Sequence, residues 1–136
     1  MSVSGDRQEG AHVLDFIAAC EAGSLPDVRR LAGLIGNIDL PNSSGKTGLM
    51  ASAARNRLEV MAFLLERGAD PNKTNANGTT PLMFAKTAAF TYGDCGGMKI
   101  LLEAGANKNA RDKSGLTALD YTIKNADKVR KFLESY

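Results

Sequence analysis

The sequence predicts an all-α solenoid, built of stacked helix–turn–helix units joined by β-turn or hairpin tips. Three observations predict it. A Gly-x-Thr-x-Leu pattern occurs at residues 45–49, 78–82 and 115–119, with its glycines 33 and then 37 residues apart. A Leu-Leu-Glu-x-Gly-Ala pattern occurs at residues 64–69 and 101–106, again with its glycines 37 apart. Between these anchors, apolar residues recur at helical spacing. The two anchors agree on a unit of about 33 residues, with four extra residues in the third copy. Such a period marks a repeat architecture in which no unit buries its apolar face alone.

Residues 1–11 are polar, lack an apolar signal-peptide core, and read as a mobile N-terminal tail. Residues 12–136 form one domain with copies at approximately 12–41, 42–74, 75–111 and 112–136. The first copy is degenerate: Leu14, Ile17, Ala18 and Ala19 indicate an inner helix, then Gly23, then Val28 and Leu31 on an outer one. In the second copy, Leu49, Met50, Ala53 and Ala54 lie on one helical face, and so do Val60, Met61, Leu64 and Leu65, with Asn56 and Arg57 between them. Small residues crowd the first of these helices, which makes it the closely packed inner one. The second carries larger residues that fill the space between layers. Thr47, Thr80 and Thr117 precede the inner helices and are natural N-caps, because a hydroxyl accepts a free backbone N–H there. Pro81, at the first helical position, sacrifices no hydrogen bond. Gly68 ends an outer helix, and the Asn/Asp/Ser-rich stretches before Gly78 and Gly115 are turn chemistry. The last copy closes on a helix that is charged on one side and apolar on the other, as a terminal unit requires.

Composition excludes several function classes. The chain of 136 residues is 43% hydrophobic and 24% charged, the balance of one ordinary folded domain. It has one histidine (His12), two cysteines (Cys20 and Cys95) and no tryptophan. That is too few ligands for a structural zinc site and offers no metal, cofactor or nucleophile motif. The cysteines fall two helix layers apart, too far for a disulfide. Gly96 and Gly97 match no phosphate-binding loop. The net charge of +2 argues for neither nucleic acid nor membrane, although it runs from −3 over residues 1–40 to +3 over residues 105–136. No apolar run is long enough to span a bilayer. The expectation is a soluble cytoplasmic protein, monomeric in isolation, with a mature secreted or periplasmic form as the alternative.

Residues 80–85, Thr-Pro-Leu-Met-Phe-Ala, resemble the Thr-Pro-Leu-His-x-Ala signature of ankyrin repeats. Residues 64–72 resemble the family's Leu-Leu-x-x-Gly-Ala-Asp-x-Asn segment. The likeness covers residues 12–136 and has the look of a bacterial motif variant with both ends capped. The family's motif histidine is replaced by Met50, Met83 and Asp120. In the family that histidine braces neighbouring turns, so its loss implies looser bracing. The resemblance implies protein binding through the turn tips and the exposed side of the inner helices. By motif position the tips are Ser43, Ser44 and Lys46, then Ala76, Asn77 and Thr79, then Lys113, Ser114 and Leu116. The inner-helix positions are Arg55, Thr87, Ala88, Lys124 and Asn125.

The four extra residues are the most individual feature. They fall in residues 88–97, which read as a glycine-rich loop carrying Phe90 and Tyr92, either a binding loop or a structural cap in which these rings fold back on the helix ends. Loops on rigid scaffolds often carry function, and these residue types are enriched at interfaces. The expected function is therefore binding of a protein partner, as an inhibitor or adaptor and not as an enzyme. A toxin-neutralising immunity protein and a structural subunit of a larger assembly are the alternatives.

Overall fold

The computed structural model describes residues 3–121 and 127–135. Lys124 and Asn125, two of the expected inner-helix contacts, lie outside these residues. Among the described residues there are seven α-helices, one 3-10 turn and no strand. The helices are α1 (Val3–Ala22), α2 (Leu25–Ile35), α3 (Gly48–Ala54), α4 (Leu58–Glu66), α5 (Pro81–Tyr92), α6 (Gly96–Glu103) and α7 (Asp127–Glu134), and the 3-10 turn covers Leu119–Tyr121. Each odd-numbered helix through α5 packs on its even-numbered successor. The chain of contacts α1–α3–α5 forms an inner row and α2–α4–α6 an outer one. This is the two-row stack expected from the repeat.

The middle inner helix, α3, is short and small-sided because it must approach α1 and α5 on either side. Six of the seven residues of α3 are buried, from Gly48 to Ala53. A Cβ added at Gly48 would come within 2.7 Å of the Phe16 ring and 2.9 Å of Cys20 Sγ, so only glycine lets α3 sit this close to α1. Larger side chains, namely Phe16, Leu49, Met61, Leu64, Leu82, Met98 and Leu101, fill the space between layers with essentially no exposure. Met50, Met61, Met83 and Met98 are all buried core residues, as their repeat positions imply.

The caps form as the sequence predicts. Thr47 and Thr80 accept from the backbone N–H groups of Met50 and Met83. Thr117 and Asp120 bond reciprocally, each side chain accepting the other's backbone N–H, at 3.2 and 2.9 Å. Asp120 therefore supplies bracing at one of the positions where the motif histidine is missing. Met83 supplies a weaker version, its Sδ lying 3.5 Å from the Thr80 N–H.

The tips are β-turns without strand pairing. Gly45, Gly78 and Gly115 each donate to the carbonyl three residues earlier, on Asn42, Asn75 and Asp112. Successive tips are stitched by Ala76 N–H to Ser44 O and Lys113 N–H to Asn77 O, both 3.1 Å. Gly45 and Gly78 have φ of 82° and 75°, and a Cβ on either would press on the next tip's backbone at 2.8 and 3.0 Å. Both the conformation and the close approach require glycine.

Three features differ from expectation. Helix α1 begins at Val3, inside the segment read as a tail. Its buried face is Val13, Phe16, Ile17 and Cys20, while Leu14 is 59% exposed and Ala18 is also exposed. Among the described residues α1 packs on α2 and α3, and no element covers its other side. The third difference is the insertion. Residues 88–92 are not a loop but the last turn and more of α5, which runs to Tyr92. The run Ala-Ala-Phe-Thr-Tyr contains no breaker, and the first residue able to stop the helix is Gly93, at φ 68°, whose N–H bonds to Ala89 O at 2.9 Å. Four residues are slightly more than one helical turn, so the buried face of α5 stays in register.

Candidate functional site

The expected contact residues fall into two groups along the stack. At the first and second copies, Glu21 organises the surface. Its carboxylate meets Lys46 Nζ at 3.5 Å and Arg55 Nη2 at 3.1 Å, and its backbone carbonyl accepts from Arg57 Nε at 2.9 Å. Lys46 and Arg55 thus share one carboxylate, and the cluster keeps a net positive charge. Ser43 and Ser44 are exposed, with the Ser44 N–H and hydroxyl both turned back onto Asn42 Oδ1.

The third and fourth copies are different. Thr79, Met83, Phe84, Lys86, Thr87, Asp112 and Tyr121 line a depression of about 190 Å³ between α5, the third and fourth tips and the 3-10 turn. Of the expected contacts, Thr79 and Thr87 line it directly. Asn77, Lys113, Ser114 and Leu116 stand exposed on the two tips at its edge, and Ala76 is exposed on the third tip. Phe90 is 39% and Tyr92 48% exposed. They do not form one patch: two residues apart on a helix, they face different sides. Phe90 lies one turn beyond Lys86 and faces it, the Lys86 Nζ standing 5.8 Å from its ring centre. Ala88, also expected on the exposed side, is buried, one helical turn beyond Ala85 on the core face of α5.

Sequence reasoning missed the two residues at the centre, Lys86 and Tyr121. Lys86 is only 9% exposed, and its Nζ lies 4.7 Å from the Tyr121 ring centre. Burial pushes its ammonium pKa below the ordinary lysine range. The Tyr121 hydroxyl donates to Asp112 Oδ2 in a short hydrogen bond. That bond holds the Asp112 carboxyl below its usual range and raises the Tyr121 hydroxyl, and the Leu116 and Ser114 N–H groups add to the effect on Asp112. The missed signal was in the repeat alignment. Lys86 occupies the position that Ala53 holds in the second copy, 33 residues earlier, where the side chain is small and buried.

The two cysteines lie apart from this arrangement. Cys20 lies in the core with its thiol pushed up to about 12 by burial, and Cys95 is half-buried at the start of α6. No group of three or more His, Cys, Asp or Glu side chains among the described residues is placed to hold a metal ion. No described helix is long and apolar enough to cross a membrane.

A rigid stack of helix pairs with exposed turn tips is the architecture of a repeat scaffold. The comparisons place it in a family. The family model described as Ankyrin repeats (3 copies) matches residues 16–112 and 68–136. The chain is 32% identical over 110 residues to a putative ankyrin repeat protein of Fowlpox virus (strain NVSL), covering 61% of this chain and 78% of that protein. It is 34% identical over 111 residues to ankyrin repeat and SAM domain-containing protein 6 of Rattus norvegicus, covering 80% of this chain but 12% of the relative. It is 36% identical over 88 residues to NF-kappa-B inhibitor delta of Mus musculus, covering 63% of this chain and 26% of the relative. The chain belongs to the ankyrin-repeat family. Ankyrin repeats generally mediate protein–protein interaction and typically lack catalytic function.

Proposed function

We propose that this chain binds a protein partner through its turn tips, the exposed side of α5 and the last copy, and acts as an inhibitor or adaptor without catalysing a reaction. The observation that supports this reading best is the pairing of exposed aromatic rings with open tips in the C-terminal half. Tyr121, Thr79 and Thr87 line a depression together with Lys86, which also faces the ring of Phe90, and Lys113 and Leu116 are exposed on the fourth tip. Aromatic residues dominate interface energetics, and a few of them carry most of the binding energy. A stack stitched by backbone hydrogen bonds between tips presents these side chains already ordered, so association loses little conformational entropy. Covering a partner's functional surface with such a face is inhibition, and holding a second protein beside it is adaptation. The name of one relative, an NF-kappa-B inhibitor, is consistent with the first role.

Affinity capture from the native cell tests the reading. A specific protein is expected on the wild-type chain, lost with Phe90→Ala combined with Lys113→Ala, and retained with Glu66→Ala on the outer row. A capture that returns no protein sensitive to the first pair overturns it.

A further inference from the structure

We propose that the depression between the third and fourth copies is a dedicated socket for one acidic side chain, Asp or Glu, presented next to an apolar residue on the bound protein. This rests on the reading of the chain as a protein-binding module and names the chemistry of its central contact.

Lys86 carries the inference. It is about nine-tenths buried, and it forms no hydrogen bond or ion pair with any described residue. Its ammonium group stands between two aromatic rings, 4.7 Å from the centre of Tyr121 and 5.8 Å from that of Phe90. The ring faces attract the cation but do not satisfy its three N–H donors. The ammonium nitrogen is not sealed from solvent, so water meets those donors in the free chain, and a carboxylate is the group that meets them most fully.

The one carboxylate lining the depression is not free to do so. Asp112 Oδ1 accepts the N–H groups of Ser114 and Leu116 at 2.9 and 3.1 Å, and Oδ2 accepts the Tyr121 hydroxyl. These three donors lock it into the fourth tip. Beside it, Lys113 is exposed and makes no ion pair among the described residues, so the rim adds a second positive charge.

The internal comparison sharpens the point. The equivalent residue of the second copy is Ala53, which is 1% exposed and serves only packing. A stacked repeat therefore needs nothing larger at this position, and a lysine there answers some other requirement. Size selects the occupant. The depression is about 190 Å³, below the ~300–1,000 Å³ of pockets that enclose a small molecule. It holds a side chain, and the apolar Met83 and Phe84 in its lining suit the neighbouring residue of the same segment.

Panning a phage-displayed library of short random peptides against the folded full chain tests this. The enriched peptides are expected to share an Asp or Glu beside an apolar residue. Lys86→Met, which keeps the length and apolar packing of the side chain, should weaken them about tenfold or more while holding or raising the melting temperature. Lys86→Gln should do the same. Replacing the peptide's Glu by Gln should weaken binding to the wild type and leave binding to the Lys86→Met protein unchanged. Enriched peptides without a shared acid, no enrichment at all, or equal binding to the Lys86→Met protein would each overturn the socket. Peptides lost on Phe90→Ala but retained on Lys86→Met would remove the socket and leave the protein-binding reading standing. Displacement of the peptides by free glutarate at comparable concentration would assign the site to a small dicarboxylate instead and overturn the proposal.

Discussion

The second and third copies share one plan and use it differently. Inner helix α3 has 7 residues and α5 has 12. Both end at a left-handed residue at the same repeat position, Asn56 (φ 58°) and Gly93 (φ 68°), 37 residues apart. Up to that point, α3 is committed to packing. Its Ala53 is buried, and the Arg55 that follows it pairs with Glu21 of the first copy, a carboxylate it shares with Lys46. Where the second copy has Ala53 and Arg55, the third has Lys86 and Tyr92. One cation is half-sandwiched by rings, and one aromatic is left at the surface. The copy between two covered neighbours holds the stack together. The lengthened copy carries surface chemistry that stacking does not need.

The largest test of this division is Leu64→Ala, at a side chain of the second copy with no exposure. It should cost about 2–5 kcal/mol in a denaturant titration. Phe90→Ala and Tyr92→Ala should stay within about 0.5 kcal/mol, as surface changes do. Equal losses would erase the distinction.

Exchanging the marked position comes next. Ala53→Lys forces a long cation into a packed site with no flanking rings, and should destabilise the fold by about 1–3 kcal/mol or more. Lys86→Ala should be neutral or stabilising, because it removes a cation that burial disfavours. Thermal melts of the two variants should therefore move in opposite directions, or one should not move at all.

The caps should behave alike in both copies. Thr47→Ala and Thr80→Ala are each expected to cost about 1 kcal/mol. The turn residues should not behave alike. Asn56→Ala should lose about 1–2 kcal/mol to left-handed strain and also lose the bond from Asn56 Nδ2 to Asp94 Oδ2. Asn56→Gly keeps the backbone free and loses only the bond. Chemical denaturation of the pair separates strain from bonding.

The smallest effect at neutral pH belongs to the core thiol. Cys20 has its pKa raised by burial from 9.0 to about 12, so the folded state holds its proton where the unfolded chain gives it up. Its contribution is complete below about pH 9 and is lost as pH rises toward about 12. Wild type and Cys20→Ala should therefore show a constant stability difference up to pH 9 that shrinks above it. At neutral pH, an alkylating reagent should label the half-buried Cys95 before Cys20.

Much of the architecture was legible because a solenoid is written in local, repeated signals. Gly45 and Gly78 mark the tips, Thr47 and Thr80 the helix starts, and the small residues of α3 the inner row. Each of these acts within a few residues of its own position. The errors came where a local signal competed with a longer-range one. Residues 88–97 contain Gly93, Gly96 and Gly97, so the segment looked like a loop. Only Gly93 onward breaks the helix, and the added turn keeps α5 in phase with α3. Leu14 and Ala18 fit an apolar helical face, but exposure depends on whether another layer lies beyond α1.

The repeat period, the helix caps and the turn tips were set by the amino-acid order, because helix capping and turn conformation are properties of short stretches. The socket was decided only in three dimensions. Lys86, Phe90, Asp112 and Tyr121 come from two copies, and nothing in their spacing says that they meet. They meet because one extra helical turn and the stacking of the fourth tip on the third bring two rings over a single ammonium group.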